Sequence, residues 1–488
     1  MVIAPLLLSC LILLLLFTFL SRRTRSKREP PLDKGLIPWL GHALDFGKDA
    51  AKFLTRMKEK HGDIFTVRVA GRYVTVLLDP HSYDDVLHNS TSLDFSRYAQ
   101  VLMERIFHLR LPHYNPAAER AAMQHHFNRD NLTRLNITMY RSLQALLASD
   151  APPNRMDWKQ DGLFNFSYSL LFRSGYLTLF GRRCDSSGGP TDIYNSFRTF
   201  DGFLTKMART TLKPEEKREA ELVRKHLWSL LSPAQPGEGA APSPWLQGYL
   251  KHLKEEGADE DTQTRALLLQ LWATQGNVGP AAFWLLGFLL TNPEAMAAVR
   301  EEFSGILVAS DLPEDQVLER LQHTPVFNST LSETLRLTGA PFITREVLAS
   351  TTLRMADGQE YDLRQGDRVC LFPFLSPQMD PEIHHEPEKF KFDRFLNADG
   401  TEKRDFSKGG RRLKYYTMPW GAGSNACVGR HFAISAIKQF LFLVLTHLDL
   451  ELCNPDAVIP AIDASRYGFG MLQPDGDVLI RYKLRHPL

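Results

Sequence analysis

The sequence of 488 residues contains few cysteines and almost no net charge. The cysteines are scattered, odd in number and nowhere spaced as C-x-x-C: Cys10, Cys184, Cys370, Cys427 and Cys453. This distribution disfavours a disulfide framework and a structural zinc site, and it fits a reducing compartment. The formal net charge of +2 gives no reason to expect a nucleic-acid partner.

The motifs of several common enzyme classes are also missing. The chain has no P-loop and no G-x-S-x-G, and Gly468-x-Gly470 lacks the third glycine and the strand-to-helix context of a dinucleotide site. The adjacent pairs His125-His126 and His384-His385 would point apart on a helix or a strand. That geometry disfavours a metal shared between the two imidazoles of either pair.

An uncharged apolar run opens the chain. A helix over residues 2–20 would span roughly 28 Å, close to the hydrocarbon thickness of a bilayer. Basic residues follow this run between 22 and 28, whereas a cleaved signal peptide carries its charges before the apolar region. We predict an uncleaved single-pass anchor over residues 1–28, with the rest of the chain in the cytosol by the positive-inside rule.

Beyond the anchor, the pattern predicts a mainly α fold with a small β portion. Residues 64–79 predict a hairpin of two short strands around Ala70-Gly71. Apolar residues at helical spacing continue from about 100 to 340, and short strands with proline-rich loops follow over 341–395. No linker divides residues 29–488, which we predict to form a single domain.

The most informative segment is a glycine-rich loop that carries one cysteine, Trp420-Gly-Ala-Gly-Ser-Asn-Ala-Cys427-Val-Gly429. Glycines let such a loop turn sharply and approach a flat ligand closely. An apolar helical pattern follows, so the cysteine would lie at a helix N-terminus, where free N–H groups stabilise a thiolate. This arrangement suits a sulfur ligand to haem iron, although a lone buried cysteine would explain the residue equally simply.

Two further motifs favour the haem interpretation. Glu333 and Arg336 are three residues apart in an apolar-periodic helix and would face the same side. Arg394, in a proline- and phenylalanine-rich segment before the cysteine loop, would complete a Glu–Arg–Arg cluster. A buried ion cluster is costly unless it is fully paired, so we predict that this structural triad fixes the loop that carries the metal ligand.

These features, in this order, resemble the cytochrome P450 family over the length of the chain. The family loop is F-x-x-G-x-R-x-C-x-G, which implies that Cys427 is the axial thiolate ligand of haem b iron and that residues 29–488 form one haem-thiolate catalytic domain. Gly423 and Gly429 match the loop as cofactor-binding positions, and Trp420 stands for the usual phenylalanine.

One departure from the family loop concerns the haem propionates. Asn425 stands where the family has the arginine that usually pairs with a propionate, so another base must serve. Arg345, in Pro-Phe-Ile-Thr-Arg, is our candidate for this cofactor contact. The second usual contact is not identified, because no W-x-x-x-R occurs between 100 and 130.

The central helix of the family corresponds to about Arg265 to Leu290. Hydroxylating members carry an acid and an alcohol there, which deliver protons to dioxygen. Gly276, Asn277 and Val278 replace these groups here, and an amide cannot relay protons as a carboxylic acid does. Pro280 has no N–H, so the helix should bend near Gly276; simple packing would also account for such a bend.

The segments LQLWATQGNVGPAAFWLL, PFITREV and SRYGFGMLQP resemble those of the family members that isomerise prostaglandin H2 to prostacyclin. This resemblance implies homolytic cleavage of the lipid endoperoxide without an obligatory reductase or dioxygen, at the endoplasmic reticulum membrane. The expected catalytic residues are Cys427 and Asn277, and Asn277, Trp272 and Thr344 would bind the substrate. Two alternatives stay open, a reductase-dependent monooxygenase of sterols or other lipids and a non-catalytic haem protein.

Overall fold

The structure is a computed structural model, and it describes residues 24–485 apart from 112–113, 153–156, 182–188, 233–241 and 308–312. The predicted anchor falls largely in residues 1–23, outside the described residues. Within the described part, no single helix combines the length and the apolar composition needed to cross a bilayer. The segments Glu260–Leu290 and Pro293–Ile306, bent by 109°, meet those criteria only as a pair.

Helices make up most of the described chain, as the sequence predicts. In chain order they are α1 (Ala43–Lys48), α2 (Ala50–His61), α3 (Tyr83–His88), α4 (Ser96–Phe107), α5 (Pro116–Gln124), α6 (Arg129–Asp150), α7 (Leu163–Phe180), α8 (Pro190–Gly202), α9 (Leu204–Arg209), α10 (Pro214–Leu231), α11 (Pro244–Glu255), α12 (Glu260–Gln275), α13 (Val278–Leu290), α14 (Pro293–Leu307), α15 (Glu314–Gln322), α16 (Pro325–Thr338) and α17 (Arg430–His447).

The β portion is small and consists of short strands. They are β1 (Leu32–Asp33), β2 (Ile64–Val69), β3 (Arg72–Leu77), β4 (Leu93–Asp94), β5 (Lys159–Gly162), β6 (Ile343–Val347), β7 (Thr351–Arg354), β8 (Glu360–Leu363), β9 (Arg368–Leu371), β10 (Ser407–Lys408), β11 (Arg411–Arg412), β12 (Leu448–Leu452) and β13 (Leu479–Leu484). One sheet has the order β1-β2-β3-β9-β6-β4, and another has the order β12-β13-β5.

The predicted hairpin is confirmed, because β2 and β3 pair antiparallel with Val69 opposite Arg72. Ala70 and Gly71 both have positive φ, 47° and 78°, which closes the two-residue turn. The hairpin joins the larger sheet through the parallel pairing of β3 with β9, and β9 pairs in turn with β6. This order carries β6 to the side of the helical body where the cysteine loop lies.

The main core is helical, and α7, α13 and α17 lie at its centre. Most of their side chains are buried, as for Leu171, Leu286 and Leu441, because these helices are packed against others on several sides. The predicted interruption of the central helix is confirmed: α12 ends at Gln275 and α13 begins at Val278. The break places Gly276 and Asn277 beside the cavity described next.

Candidate active site

A cavity of about 400 Å³ lies between the central helix, strand β6, helix α17 and the loop that precedes it. Its wall is mainly apolar, and its larger apolar members include Phe95, Met123, Phe127, Trp245, Leu335, Phe342, Trp420, Phe432 and Met471. The uncharged polar members include Gln270, Thr274, Gln275, Asn277 and Asn425. A mainly apolar chamber of this kind suits an apolar ligand, such as a flat cofactor or a lipid.

Cys427 lies on the cavity wall, three residues before helix α17. Its N–H donates to the carbonyl of Trp420 at 2.8 Å, which closes the loop, and Gly421 has a φ of +67° at the turn. The side chain is exposed to the cavity but lies deep in the protein, and this burial raises the pKa of the Cys427 thiol. A hydrogen bond from the Gly429 N–H opposes the shift, as do the charges of Arg120 and Arg430.

Helices outside the loop hold it in place. The Arg120 guanidinium, on α5, donates a hydrogen bond to the carbonyl of Ala426, directly before Cys427. Gly423 has a φ of +64°, and a Cβ there would lie 3.1 Å from the carbonyl oxygen of Leu87. Sequence reasoning missed Arg120, because α5 lacks the aromatic residue that marks the family's arginine.

The predicted glycines of this loop have different surroundings. Gly429 lies on the cavity wall and is the residue before α17, so its N–H can reach the sulfur. Gly423 is not among the residues that line the cavity and packs against α3 instead. Gly423 therefore contributes to the packing of the loop, whereas Gly429 lies directly at the cavity.

Strand β6 presents Ile343 and Arg345 to the cavity. The Arg345 side chain is buried, with Nη1 donating to the Thr344 carbonyl at 3.1 Å and the guanidinium 5.5 Å from the centre of the Phe95 ring. Nη2 is buried and has no hydrogen-bond partner in the part of the chain that the structure describes. Burial lowers the pKa of Arg345, so an anionic partner would stabilise this cation.

Thr344 and Trp272 do not lie where the sequence predicts them. Alternation along β6 turns the Thr344 hydroxyl away from the cavity, towards the sulfur of Cys370 at 3.8 Å. Trp272 is also absent from the cavity wall and packs against Phe107, with the ring centroids 6.0 Å apart. Neither position fits the predicted contact with a ligand in this cavity.

The structure brings Glu333, Arg336 and Arg394 together in the interior. Arg336 donates to both Glu333 carboxylate oxygens, at 2.7 and 2.8 Å, and Nε of Arg394 donates to the same carboxylate at 2.9 Å. The side chains of Glu333 and Arg336 are completely buried. The Arg336 guanidinium also donates to the backbone carbonyls of Gln378 and Pro387, both at 2.7 Å, so the buried charges are fully paired.

Gln378 links this triad to the cysteine loop. Its Nε2 donates to the carbonyls of Arg336 and Gly339 at 2.9 and 2.7 Å. Its Oε1 accepts from the N–H of Met418 at 3.2 Å, two residues before Trp420. Helix α16 is thereby joined to the start of the loop that carries the sulfur.

The break in the central helix leaves the Gly276 carbonyl without a helical partner. Pro280 has no N–H to donate to the Gly276 carbonyl, and the Tyr168 hydroxyl, from α7, donates to it instead at 3.3 Å. The helical pattern resumes at once, since the Ala281 N–H donates to the Asn277 carbonyl at 3.1 Å. The opening is therefore confined to a single turn beside the cavity.

The Asn277 amide is oriented by the loop after strand β12. Its Oδ1 accepts a hydrogen bond from the Met471 N–H at 2.9 Å, and a backbone N–H can only donate. The other end of the amide must therefore be Nδ2, and no hydrogen bond from Nδ2 is found among the described residues. Asn277 lines the cavity, so its two N–H donors remain for a ligand there.

Charge is almost absent from the cavity wall. Arg345 is the only charged side chain among its lining residues in the described chain, and none of those residues is Asp or Glu. Thr274, which could relay a proton, donates its hydroxyl to the Gln270 carbonyl at 2.7 Å. The wall can thus donate hydrogen bonds but holds no carboxylic acid.

Comparison with known proteins identifies the family to which the chain belongs. The family model described as Cytochrome P450 matches residues 188–480. The chain belongs to the cytochrome P450 family, and haem b is the cofactor that this membership implies.

Within the family, the chain is similar to prostacyclin synthases. It is 56% identical to the Homo sapiens prostacyclin synthase over 476 residues, which cover 95% of each chain. It is 55% identical to that of Rattus norvegicus, over 94% of this chain and 95% of the relative. The Homo sapiens 7-alpha-hydroxycholest-4-en-3-one 12-alpha-hydroxylase is more distant, at 42% identity over 95% of each chain.

The residues of the cavity fit a haem. Cys427 offers a sulfur ligand from one wall, and the N–H of Gly429 would stabilise its thiolate form. The unpartnered Nη2 of Arg345 is a buried donor at the same cavity and suits a propionate oxygen. Asn425 also lines the cavity but carries no charge, so Arg345 is the cation available there.

Proposed function

We propose that this protein isomerises prostaglandin H2 to prostacyclin in the cavity beside Cys427, without a reductase or dioxygen. The observation that carries the proposal is the cavity wall, where the amide of Asn277 occupies the place of an alcohol and none of the described lining residues is a carboxylic acid. Monooxygenation consumes protons that such a wall is poorly equipped to deliver. The similarity to prostacyclin synthases over 95% of the chain supports the same reaction.

The proposed reaction needs no external electrons, because substrate and product contain the same atoms. The endoperoxide O–O bond breaks, and one of its oxygens forms a new C–O bond to the neighbouring alkene carbon. One carbon loses a proton to leave an enol ether, and the other endoperoxide oxygen gains a proton to become a hydroxyl. The substrate itself thus supplies both the oxidant and the reductant.

When bound, a haem with a thiolate ligand supplies the one-electron chemistry that cleaves an O–O bond. Cys427 would hold the cofactor by its sulfur, and Arg345 would bind a propionate. The Nδ2 group of Asn277 would donate a hydrogen bond to an endoperoxide oxygen and so fix its orientation. The apolar wall would keep water from intercepting a reactive intermediate.

We further propose a single catalytic domain over residues 29–488, anchored in the endoplasmic reticulum membrane by residues 1–28 and facing the cytosol. Large apolar side chains are exposed soon after the anchor, namely Leu36, Ile37, Trp39 and Leu44. A membrane surface would cover this patch at a gain of roughly 25 cal/mol per Å². This placement would bring a lipid substrate to the enzyme by diffusion within the bilayer.

The decisive experiment is anaerobic incubation of the purified full-length holoprotein with prostaglandin H2, without NADPH or reductase. We expect prostacyclin, measured as its stable hydrolysis product by mass spectrometry. Product that forms only with NADPH, reductase and dioxygen would favour a lipid monooxygenase instead. A haem spectrum without turnover of the endoperoxide would favour a non-catalytic haem protein.

A further inference from the structure

We propose that Tyr168 is a positioning residue for the isomerisation: its hydroxyl holds the helix break open at Gly276 and thereby keeps the Asn277 amide directed into the cavity. The inference rests on the proposed function. Tyr168 itself does not line the cavity and is completely buried, so it acts through Asn277 and not by touching the substrate.

The first observation is the hydrogen bond that replaces the missing helical one. Pro280 leaves the Gly276 carbonyl without its usual N–H donor, and the Tyr168 hydroxyl donates to it at 3.3 Å. A buried carbonyl without a partner is unfavourable and recruits another donor. The Nδ2 group of Asn277, on the adjacent residue, is a free donor of this kind. Without Tyr168, that amide would be drawn away from the ligand space.

The second observation is that the helix makes room for the Tyr168 ring. A Cβ on Gly279 would lie 2.0 Å from Cδ2 of Tyr168 and 2.4 Å from its Cγ. Such a contact is impossible, so any larger residue at Gly279 would displace the ring and its hydroxyl. Gly279 and Pro280, in one helical turn, thus both make the Tyr168 contact possible. Gly279 leaves space for the ring, and Pro280 leaves the Gly276 carbonyl without a helical donor, so that it can accept from the hydroxyl.

The third observation is that the tyrosine is held rigidly. Its ring packs against Phe172 and Phe197, with centroids 6.5 and 6.4 Å away, and the Arg198 guanidinium lies 4.8 Å over it. Arg198 lies 3.6 Å from the buried carboxylate of Asp201. Burial keeps the pKa of Tyr168 well above its usual value, so the hydroxyl is a neutral donor throughout the working pH range.

Asn277 is consequently fixed from two directions. Tyr168 holds the backbone directly before it, and the Met471 N–H holds its side-chain oxygen at 2.9 Å. Gly470 permits the second contact, since a Cβ there would lie 2.4 Å from Oδ1 of Asn277. The two supports come from distant parts of the chain, one contacting the peptide carbonyl before Asn277 and the other its side-chain oxygen.

The test is Tyr168→Phe, which keeps the ring and removes only the hydroxyl. We expect haem content to stay normal while kcat for prostaglandin H2 falls about five- to tenfold, the effect of losing one buried hydrogen bond. The matched control is Tyr194→Phe, whose hydroxyl donates to Asn165 at 3.2 Å, away from the break, and which should keep full turnover. Unchanged turnover in Tyr168→Phe would overturn the proposal.

A second measurement separates positioning from packing. The affinity for a stable endoperoxide analogue, measured by spectral titration, should fall about fivefold in Tyr168→Phe. The same change made in an Asn277→Asp background should cause little further loss, because the amide donor is already absent. Equal losses in both backgrounds, or loss of haem from Tyr168→Phe, would assign Tyr168 to packing alone. A wild-type protein that forms no prostacyclin would refute the proposed function. The comparison of analogue affinities in the two backgrounds would still test the positioning role.

Discussion

The backbone N–H of Met471 donates a hydrogen bond to Oδ1 of Asn277 at 2.9 Å, joining the loop after β12 to the break in the central helix. This contact determines which end of the amide is free. It also divides the functions of one side chain between its two ends, since Oδ1 supports the fold and Nδ2 is available to a ligand.

Asn277→Asp and Asn277→Ala should separate these two functions. The aspartate can still accept from the Met471 N–H but has no N–H to donate, so we expect turnover of prostaglandin H2 to fall roughly tenfold or more with haem content preserved. The alanine also leaves the Met471 N–H without its partner, and it should reduce stability in addition. Wild-type turnover in the aspartate variant would show that the amide donor is not needed.

Cys427→Ser should abolish thiolate ligation of the haem. The cysteine sulfur lines the cavity, and a serine hydroxyl is a much weaker ligand for iron. The measurement is the absorption spectrum of the reduced carbon monoxide complex. Cys453→Ser is the matched control, because Cys453 is a free cysteine that is not among the cavity-lining residues, and its spectrum should remain native. A native spectrum in Cys427→Ser would contradict the ligand assignment.

Glu333→Gln should destabilise the fold strongly. The change keeps the shape of the side chain but leaves the buried guanidiniums of Arg336 and Arg394 without a counter-charge, at a cost of about 3 kcal/mol or more. Glu360→Gln, which disturbs only exposed pairs with Arg28 and Arg354, should cost less than about 1 kcal/mol. Denaturant unfolding of the two variants gives the comparison, and equal losses would refute the buried triad's importance.

Arg345→Ala should weaken haem retention. It removes the only charged side chain on the cavity wall within the described chain, and the transfer of haem to an apoprotein acceptor should become roughly tenfold faster. Arg354→Ala is the control, since that side chain is exposed and pairs with Glu360 at 3.3 Å. Equal rates in the two variants would leave the propionate without an assigned partner.

The buried His384 should make stability depend on pH. Its Nε2 donates to the Tyr416 carbonyl at 2.9 Å, and burial, with smaller effects of Arg336 and Arg394, lowers the pKa of His384 from 6.5 to about 3. The unfolded chain then takes up this proton first as the pH falls. Stability is therefore fully present above pH 6.5 and is lost as the pH falls towards 3, by about 1.4 kcal/mol between pH 7.5 and 5.5.

His384→Gln should remove this contribution, so its unfolding free energy should approach that of the native chain as the pH falls from 7.5 to 5.5. The exposed neighbour His385 provides the control, because His385→Gln removes an imidazole without disturbing the buried site. A free energy for His384→Gln that runs parallel to that of the native chain would show that the buried imidazole does not titrate on unfolding.

Local patterns predicted the fold class, the hairpin at Ala70-Gly71 and the interruption near Pro280. Each depends on residues close together in the chain, such as a glycine turn or a missing N–H. Thr344 shows the limit of this reasoning, because the segment was predicted correctly but a strand turns successive side chains to opposite faces. The neighbouring Arg345, also predicted as a site residue, lines the cavity, whereas Thr344 does not.

The contacts that orient the site were not predictable in this way. Asn277 stood out by its position in the central helix, but its partner Met471 lies 194 residues further along the chain. Arg120 and Tyr168 act on single carbonyls from other helices, and nothing in their own segments distinguishes them from surface charge or core packing. Such residues emerge only when the packing of the helices is known.

The lack of a carboxylic acid on the described cavity wall bears on the fate of the product. An enol ether is destroyed by proton transfer to its double bond, so a chamber with an acid beside the reacting atoms would hydrolyse what it had just formed. Asn277 and Thr274 offer amide and hydroxyl groups there, which are too weak to protonate a carbon, and none of the described lining residues is Asp or Glu. A wall without Asp or Glu among its described residues would let such an acid-labile product leave intact.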